Sequence, residues 1–198
     1  MAHIDYFLNT LSPFTYLAGD GLEKLAEKHG ATITYKPFDL LGVFARTGTP
    51  ALPQRHESRL AYRAQDLLRL AKLNRLPFNL KPVHWPTNPA PSCYAIISAQ
   101  NAGGGDIGGL CQSFLKACWA NEQDISQDEV VRACLTASGF DPQLADSGLL
   151  SGAEIYGSNT EDAMTRGAFG APFYIVGDQC FWGQDRLPHL DAHLAGEL

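Results

Sequence analysis

Two short segments of period-two alternation, His3 to Leu8 and Ala31 to Phe38, flank a run of helical spacing, and this order restricts the fold more than any other feature. Ile4, Tyr6 and Leu8 fall on one face of the first segment, and Ile33 and Tyr35 on one face of the second, as strands with a buried side require. Between them Phe14, Leu17, Leu22, Leu25 and Ala26 keep roughly helical spacing; Pro13 suits a first helical position and Gly30 an end. The unit reads as βαβ, so the two strands are expected to be parallel and the crossover right-handed.

The middle of the chain predicts helices and few strands. Leu60, Ala64, Leu67, Leu68 and Ala71 mark one amphipathic helix, Pro77 to Pro91 is a proline-rich connection, and a second helix is expected from Tyr94 to about Ala102. Gly103-Gly104-Gly105 breaks the chain before Leu110, Phe114, Leu115, Cys118 and Trp119 recur at helical spacing. Ser126-Gln127-Asp128-Glu129 reads as a capping box ahead of Val130, Val131 and Leu135, Gly139 as a stop, and Asp141-Pro142 as the start of a short helix. The last third predicts a helix from about Ala153 to Arg166, a strand Phe173 to Val176, and a two-residue turn at Gly177-Asp178. A return strand Cys180 to Trp182 and a final helix with Leu187, Leu190 and Leu194 facing inward complete the order βαβ, helical block, αββα.

Composition narrows the class. Hydrophobic residues at 45% and charged residues at 18% suit a globular chain, and 198 residues suffice for a real core. The net charge of −6 argues against a nucleic-acid binder, and no apolar stretch approaches the ~20 residues that span a bilayer. Met1 leads into a strand-like segment without a basic start or signal-like apolar stretch, so a cytoplasmic location is expected. Five cysteines, Cys93, Cys111, Cys118, Cys134 and Cys180, are an odd count without Cys-x-x-Cys and are expected as reduced, mostly buried thiols.

Ser12-Pro13-Phe14-Thr15 stands at a strand-to-helix junction where a thioredoxin-type redox enzyme carries Cys-x-x-Cys, the free N–H groups and macrodipole of the helix stabilising a thiolate. Hydroxyls occupy both cysteine positions here, so the sulfur has to arrive on a ligand, and glutathione is the abundant cellular candidate. Further motifs are Phe169-Gly170-Ala171-Pro172 before a strand, Phe181 to Leu187 before the last helix, Tyr62 to Leu67, Trp85-Pro86-Thr87-Asn88, and Trp119 to Ile125. In their order and spacing they resemble the 2-hydroxychromene-2-carboxylate isomerases, relatives of the kappa-class glutathione transferases, over nearly the whole chain. The resemblance implies an α/β fold: a thioredoxin-like domain (residues 1–40 and 153–198, βαβ plus αββα) with an all-helical insertion at 41–152. It also implies a homodimer that uses glutathione.

Site roles follow from the same resemblance. Ser12 would be catalytic, donating its hydroxyl hydrogen to the glutathione thiolate and lowering the thiol pKa; by position alone it is an N-cap. Ala171-Pro172 resembles a cis-proline edge at which the cysteinyl backbone of the ligand pairs with the Ala171 main chain, although a proline opening a strand reads the same way. Gln184 and Asp185 match positions, often Ser or Asn followed by Asp, that hold the γ-glutamyl end; Asp185 is otherwise another N-cap. Arg59 falls where relatives carry a lysine facing the glycine end, and the upstream Asn of relatives is not evident around Thr47 to Pro50. Residues 54–75 hold Arg55, Arg59, Arg63, Arg69, Lys72 and Arg75 against Glu57 and Asp66, a local +4 that would attract anions. Of these, Arg63, Arg69 and Arg75 read as a solvated face. Phe44, Trp85, Asn88 and Trp182 are candidates for an aromatic and polar substrate pocket, with packing as the alternative for each. His189 and His193 lack a third ligand, so no metal site is expected.

The activity this implies is reversible addition of glutathione thiolate to a small aromatic carboxylate carrying a conjugated carbonyl. It would interconvert 2-hydroxychromene-2-carboxylate and trans-o-hydroxybenzylidenepyruvate in aromatic hydrocarbon breakdown, without nucleic-acid or membrane partners. A kappa-class transferase or peroxidase would use the same bound thiol. A disulfide oxidoreductase is opposed by Ser12 and Thr15, and a non-catalytic thioredoxin-fold module would grip extended peptides along the Pro172 edge without glutathione.

Overall fold

In the computed structural model, which describes residues 1–198, four strands form one mixed sheet: β1 His3–Leu8, β2 Thr32–Pro37, β3 Phe173–Val176 and β4 Gln179–Trp182, in the order β2-β1-β3-β4. β1 and β2 run parallel, with His3 opposite Thr32 and Leu8 opposite Pro37, as the βαβ reading requires. β3 is antiparallel to β1, placing Tyr6 opposite Tyr174, and β4 returns antiparallel through Gly177, whose φ of +58° suits the tight turn. As a central strand β1 is buried on both sides. Ile4, Tyr6 and Leu8 enter the larger core, while Phe7 packs with Phe38, Val43, Phe173 and Ile175 on the opposite face.

Ten α-helices accompany the sheet: α1 Pro13–Leu17, α2 Gly21–His29, α3 Leu40–Thr47, α4 Glu57–Leu73, α5 Ala90–Ala102, α6 Ile107–Trp119, α7 Asp128–Ala137, α8 Leu144–Ser147, α9 Leu149–Thr165 and α10 Leu187–Leu194. The single helix expected after Ser12 is two. The chain turns at Gly19, in the left-handed region at φ +60°, so α1 packs on α4 and α6 whereas α2 packs on α10 and β2. α3 is not expected from the sequence; Asp39 caps it by accepting the Gly42 N–H (3.0 Å), and Val43 is its one fully buried residue. The capping box expected at Ser126 does not form. Instead the Asp124 carboxylate accepts the Ser126 N–H (3.0 Å), the Gln127 amide (3.1 Å) and the Thr87 hydroxyl (2.7 Å).

The larger core joins the sheet to the intervening helices, with Ile4, Tyr6 and Tyr174 in one cluster with Ile96, Phe114 and Trp119. Each fully buried Ile or Phe among them contributes ~1.5–3 kcal/mol of transfer free energy. All five cysteines are free, four of them buried and Cys180 exposed on β4. No helix is long and apolar enough to cross a membrane.

Candidate active site

The elbow between β1 and α1 is held by Asn9. Its side-chain oxygen accepts the Leu11 N–H (2.9 Å), its amide donates to the Phe38 carbonyl (2.9 Å), and its own carbonyl accepts the Ser12 N–H (3.0 Å). Ser12, only 4% exposed, caps α1 by accepting the Thr15 N–H at 3.2 Å. The same hydroxyl donates to the Ala171 carbonyl at 3.0 Å, bridging 159 residues to a peptide bond, Ala171-Pro172, that is cis. Thr15, at the position of the second cysteine of a Cys-x-x-Cys motif, keeps its hydroxyl buried and without a partner. Because α1 has five residues its macrodipole is small, and the Ser12 hydroxyl is the group best placed to stabilise an anion here. The Ala171 N–H finds no acceptor within the chain, although the residue is buried, which leaves it for an acceptor from outside.

Beside the elbow, between α4 and the 182–186 segment, lies a cleft of about 500 Å³. Of the expected site residues it gathers Arg59, Ala171, Trp182, Gln184 and Asp185, and Ser12 joins it through the Ala171 carbonyl. Pro172 ties the cis-proline edge to the 182–186 wall by accepting the Gly183 N–H on its carbonyl (2.9 Å), and Gly183 bends the chain at φ +106° into the Gln184–Arg186 turn. Asp185 caps no helix and pairs with the neighbouring Arg186 at 3.0 Å. Trp182 lies over Gly170, where a Cβ would stand 2.3 Å from the indole nitrogen, and meets Phe169 edge-on at 4.8 Å. A wider cavity of about 1110 Å³ meets this cleft at Gln184, the one expected site residue that lines it.

Phe44, Trp85 and Asn88 stand outside the cleft lining. Phe44, on α3, is half-buried beneath the Arg55 guanidinium, 5.5 Å over its ring, and reaches the cleft only through that arginine. Trp85 packs against Trp119 at 5.5 Å and donates its indole N–H to the Leu11 carbonyl (3.3 Å), supporting the elbow from behind. Asn88 is exposed, and its side-chain oxygen accepts the Ala90 N–H (3.1 Å) at the start of α5.

The structure adds Phe14, Arg55, Tyr62 and Arg63 to the cleft. Arg63 departs from the solvated-face expectation: it is half-buried with its guanidinium 5.6 Å over the Phe14 ring. Arg69, by contrast, is exposed and bonded to Gln65 (2.9 Å), and Arg75 is exposed as expected. The signal available in the sequence is a four-residue recurrence, Arg55, Arg59, Arg63, which places the last two on one side of a helix. Burial and the neighbouring Arg59 lower the Arg55 pKa, and burial and Arg55 lower that of Arg63, so like charges share the cleft.

A sheet of this order whose cis-proline edge faces a strand-to-helix elbow is the thioredoxin arrangement, and the chain belongs to the DSBA-like thioredoxin domain family, which matches residues 3–195. Within that family it is an enzyme of the isomerase type. It is 30% identical over 194 residues to the 2-hydroxychromene-2-carboxylate isomerase of Pseudomonas putida, spanning 96% of this chain and 92% of that one. The solved structure of a 2-hydroxychromene-2-carboxylate isomerase matches with a TM-score of 0.78 at 26% identity, covering 98% of this chain and 95% of the other. Glutathione S-transferase kappa 2 of Caenorhabditis elegans is 27% identical over 207 residues, covering 97% and 91%.

Proposed function

We propose that this protein is a glutathione-dependent isomerase that interconverts 2-hydroxychromene-2-carboxylate and trans-o-hydroxybenzylidenepyruvate, acting as a cytoplasmic homodimer. The observation that carries the reading is the Ser12 hydroxyl joined to the Ala171 main chain at the edge of a cationic cleft. The residues fit glutathione. The unpaired Ala171 N–H suits the cysteinyl backbone beside Pro172, Arg59 suits the glycine carboxylate, and the Gln184 amide and Asp185 carboxylate suit the γ-glutamyl carboxylate and ammonium. On this reading residues 1–40 and 153–198 supply the thiol edge, and the 41–152 insertion supplies the opposite wall through α4.

When bound, glutathione supplies the nucleophilic sulfur whose reversible addition frees the carbon–carbon double bond of the substrate to rotate, and it is released unchanged. Ser12 turns its hydroxyl hydrogen from the Ala171 carbonyl toward the sulfur, while the Thr15 N–H continues to hold the oxygen. A hydrogen bond to the anion favours the thiolate, so a nucleophile exists at neutral pH. The arginines of the cleft offset the substrate carboxylate and the negative charge that develops on its carbonyl oxygen. Trp182 supplies an aromatic wall, with Phe44 beyond Arg55; Trp85 and Asn88 hold the elbow and the start of α5.

Ultraviolet thiolate absorbance of glutathione bound to the wild type and to Ser12→Ala, followed by turnover of 2-hydroxychromene-2-carboxylate with and without glutathione, tests this. The expected result is a thiolate band that Ser12→Ala removes, a fall in kcat of roughly 10²-fold or more, and turnover that requires glutathione without consuming it. The kappa-class relative keeps one second reading in view. Glutathione consumed into a conjugate would establish the transferase instead, and absence of glutathione binding would refute both.

A further inference from the structure

We propose that Arg63 anchors the carboxylate of the electrophilic substrate and thereby makes the cleft select anionic over neutral acceptors; the inference rests on the thiol-dependent reading above. Its guanidinium stacks 5.6 Å over Phe14, two residues beyond Ser12, so the charge stands in the cleft that also reaches Ala171, the partner of the Ser12 hydroxyl. It is held there by α4. Arg59 and Arg63 lie one turn apart on that helix, and both line the same cleft.

Arg63 makes no ion pair within the chain: Asp66 lines the same cleft without pairing with it, and the like charge of Arg55 acts against it. Stacking on an aromatic ring offsets only part of what removing a charge from water costs. A half-buried guanidinium left in this state is completed by an anion from a ligand. Counting anions identifies which one. Glutathione brings two carboxylates and a thiolate; on the reading above the 184–185 segment and Arg59 account for the carboxylates and Ser12 for the thiolate, so no anionic group of the thiol remains for Arg63. A planar aromatic acid supplies the missing partner. Its carboxylate matches the two-pronged guanidinium, and its ring meets Phe14, Tyr62 and Trp182 in the same cleft.

Two ligands separate the subsites. Glutathione affinity is measured by calorimetry, and affinity for trans-benzylidenepyruvate and its methyl ester by quenching of tryptophan fluorescence, for the wild type, Arg63→Gln, Arg63→Lys and Arg59→Gln. The wild type is expected to bind the acid at least about tenfold tighter than the ester, and Arg63→Gln to erase that preference while leaving the glutathione Kd within about twofold. Arg63→Lys recovers part of the preference, since charge without the planar fork is an incomplete replacement. Arg59→Gln weakens glutathione and keeps the acid preference. Equal loss of both ligands in Arg63→Gln with an unchanged melting curve, retention of the acid preference in that variant, or no acid preference in the wild type would overturn the proposal. Failure of the wild type to bind glutathione would remove the thiol reading, and the acid–ester comparison would still judge Arg63.

Discussion

One hydroxyl at residue 12 serves local structure and, on our reading, chemistry, because its lone pairs and its hydrogen point to different partners. The oxygen accepts the Thr15 N–H as an N-cap while the hydrogen is directed to the Ala171 carbonyl, so redirecting the hydrogen leaves the cap intact. That dual use explains why Ser12 reads from the sequence equally as a cap and as a thiol ligand. Glu23 was not legible at all, since nothing in a lone glutamate of an amphipathic helix announces burial. Its Oε1 accepts the Tyr35 hydroxyl (2.9 Å), but its Oε2 is buried without a partner. Burial raises its pKa above the ordinary 4.5, bonds from its own backbone and Tyr35 oppose this, and Asp20 and Asp106 add to the rise. A carboxyl with a raised folded value binds its proton more tightly in the folded than in the unfolded chain. Its stabilising contribution is therefore complete below the unfolded value and is lost as pH rises through the folded one. Urea melts are expected to show the wild type losing stability relative to Glu23→Gln as pH climbs above the ordinary glutamate range; parallel pH profiles would exclude Glu23 as the titrating group.

At the scale of elements, close approach of backbones decides what helical propensity does not. α9 packs against α5 through Gly152, where a Cβ would stand 2.8 Å from the Tyr94 Cβ and 3.1 Å from its backbone. Gly157, on the same helix, has nothing within 4 Å of that position. Alanine favours a helix interior by about 0.5–1 kcal/mol over glycine, so Gly157→Ala should raise Tm. Gly152→Ala should lower it, because overpacking costs typically 1–3 kcal/mol and exceeds the propensity gain. Thermal melts of the two variants check the pair, and a stabilising Gly152→Ala would show that α9 moves away from α5 freely. The break at Gly19 and the helix α3 were illegible for a related reason. Spacing continues through Gly19 as if the helix did, and only the separate docking of α1 on α6 and of α2 on β2 requires the turn. Leu40 to Thr47 is only eight residues long and carries a glycine, too little for a helix on its own, and becomes one by packing Val43 with Phe7 and Phe173 and by the Asp39 cap.

For the molecule as a whole, the absence of redox cysteines extends beyond the elbow. Burial pushes the Cys93 thiol up to about 11 and Cys118 up to about 12, and raises Cys111 and Cys134 as well, whereas Cys180 is exposed on β4. A thiol reagent at neutral pH should titrate one cysteine rapidly in the native protein and the other four only after denaturation; rapid reaction of more than one would contradict this burial. The chain carries a net −6 overall, yet Arg55, Arg59 and Arg63 meet in one cleft, so charge is segregated in a way that composition alone does not reveal. By itself the sequence determined the order of the four strands and of most helices, the parallel pairing of the first two strands, and the places of Ser12 at the strand-to-helix junction and Pro172 before β3, because periodicity, turn residues and a missing Cys-x-x-Cys are local properties of the chain. Only the tertiary structure decided that Ala171 meets Ser12 across 159 residues, that Arg63 turns into the cleft while Arg69 faces solvent, and that Trp85 supports the elbow instead of lining the cleft. Those outcomes depend on which helix face packs against which neighbour, and that choice is made by the burial of residues distant in sequence, which no local pattern encodes.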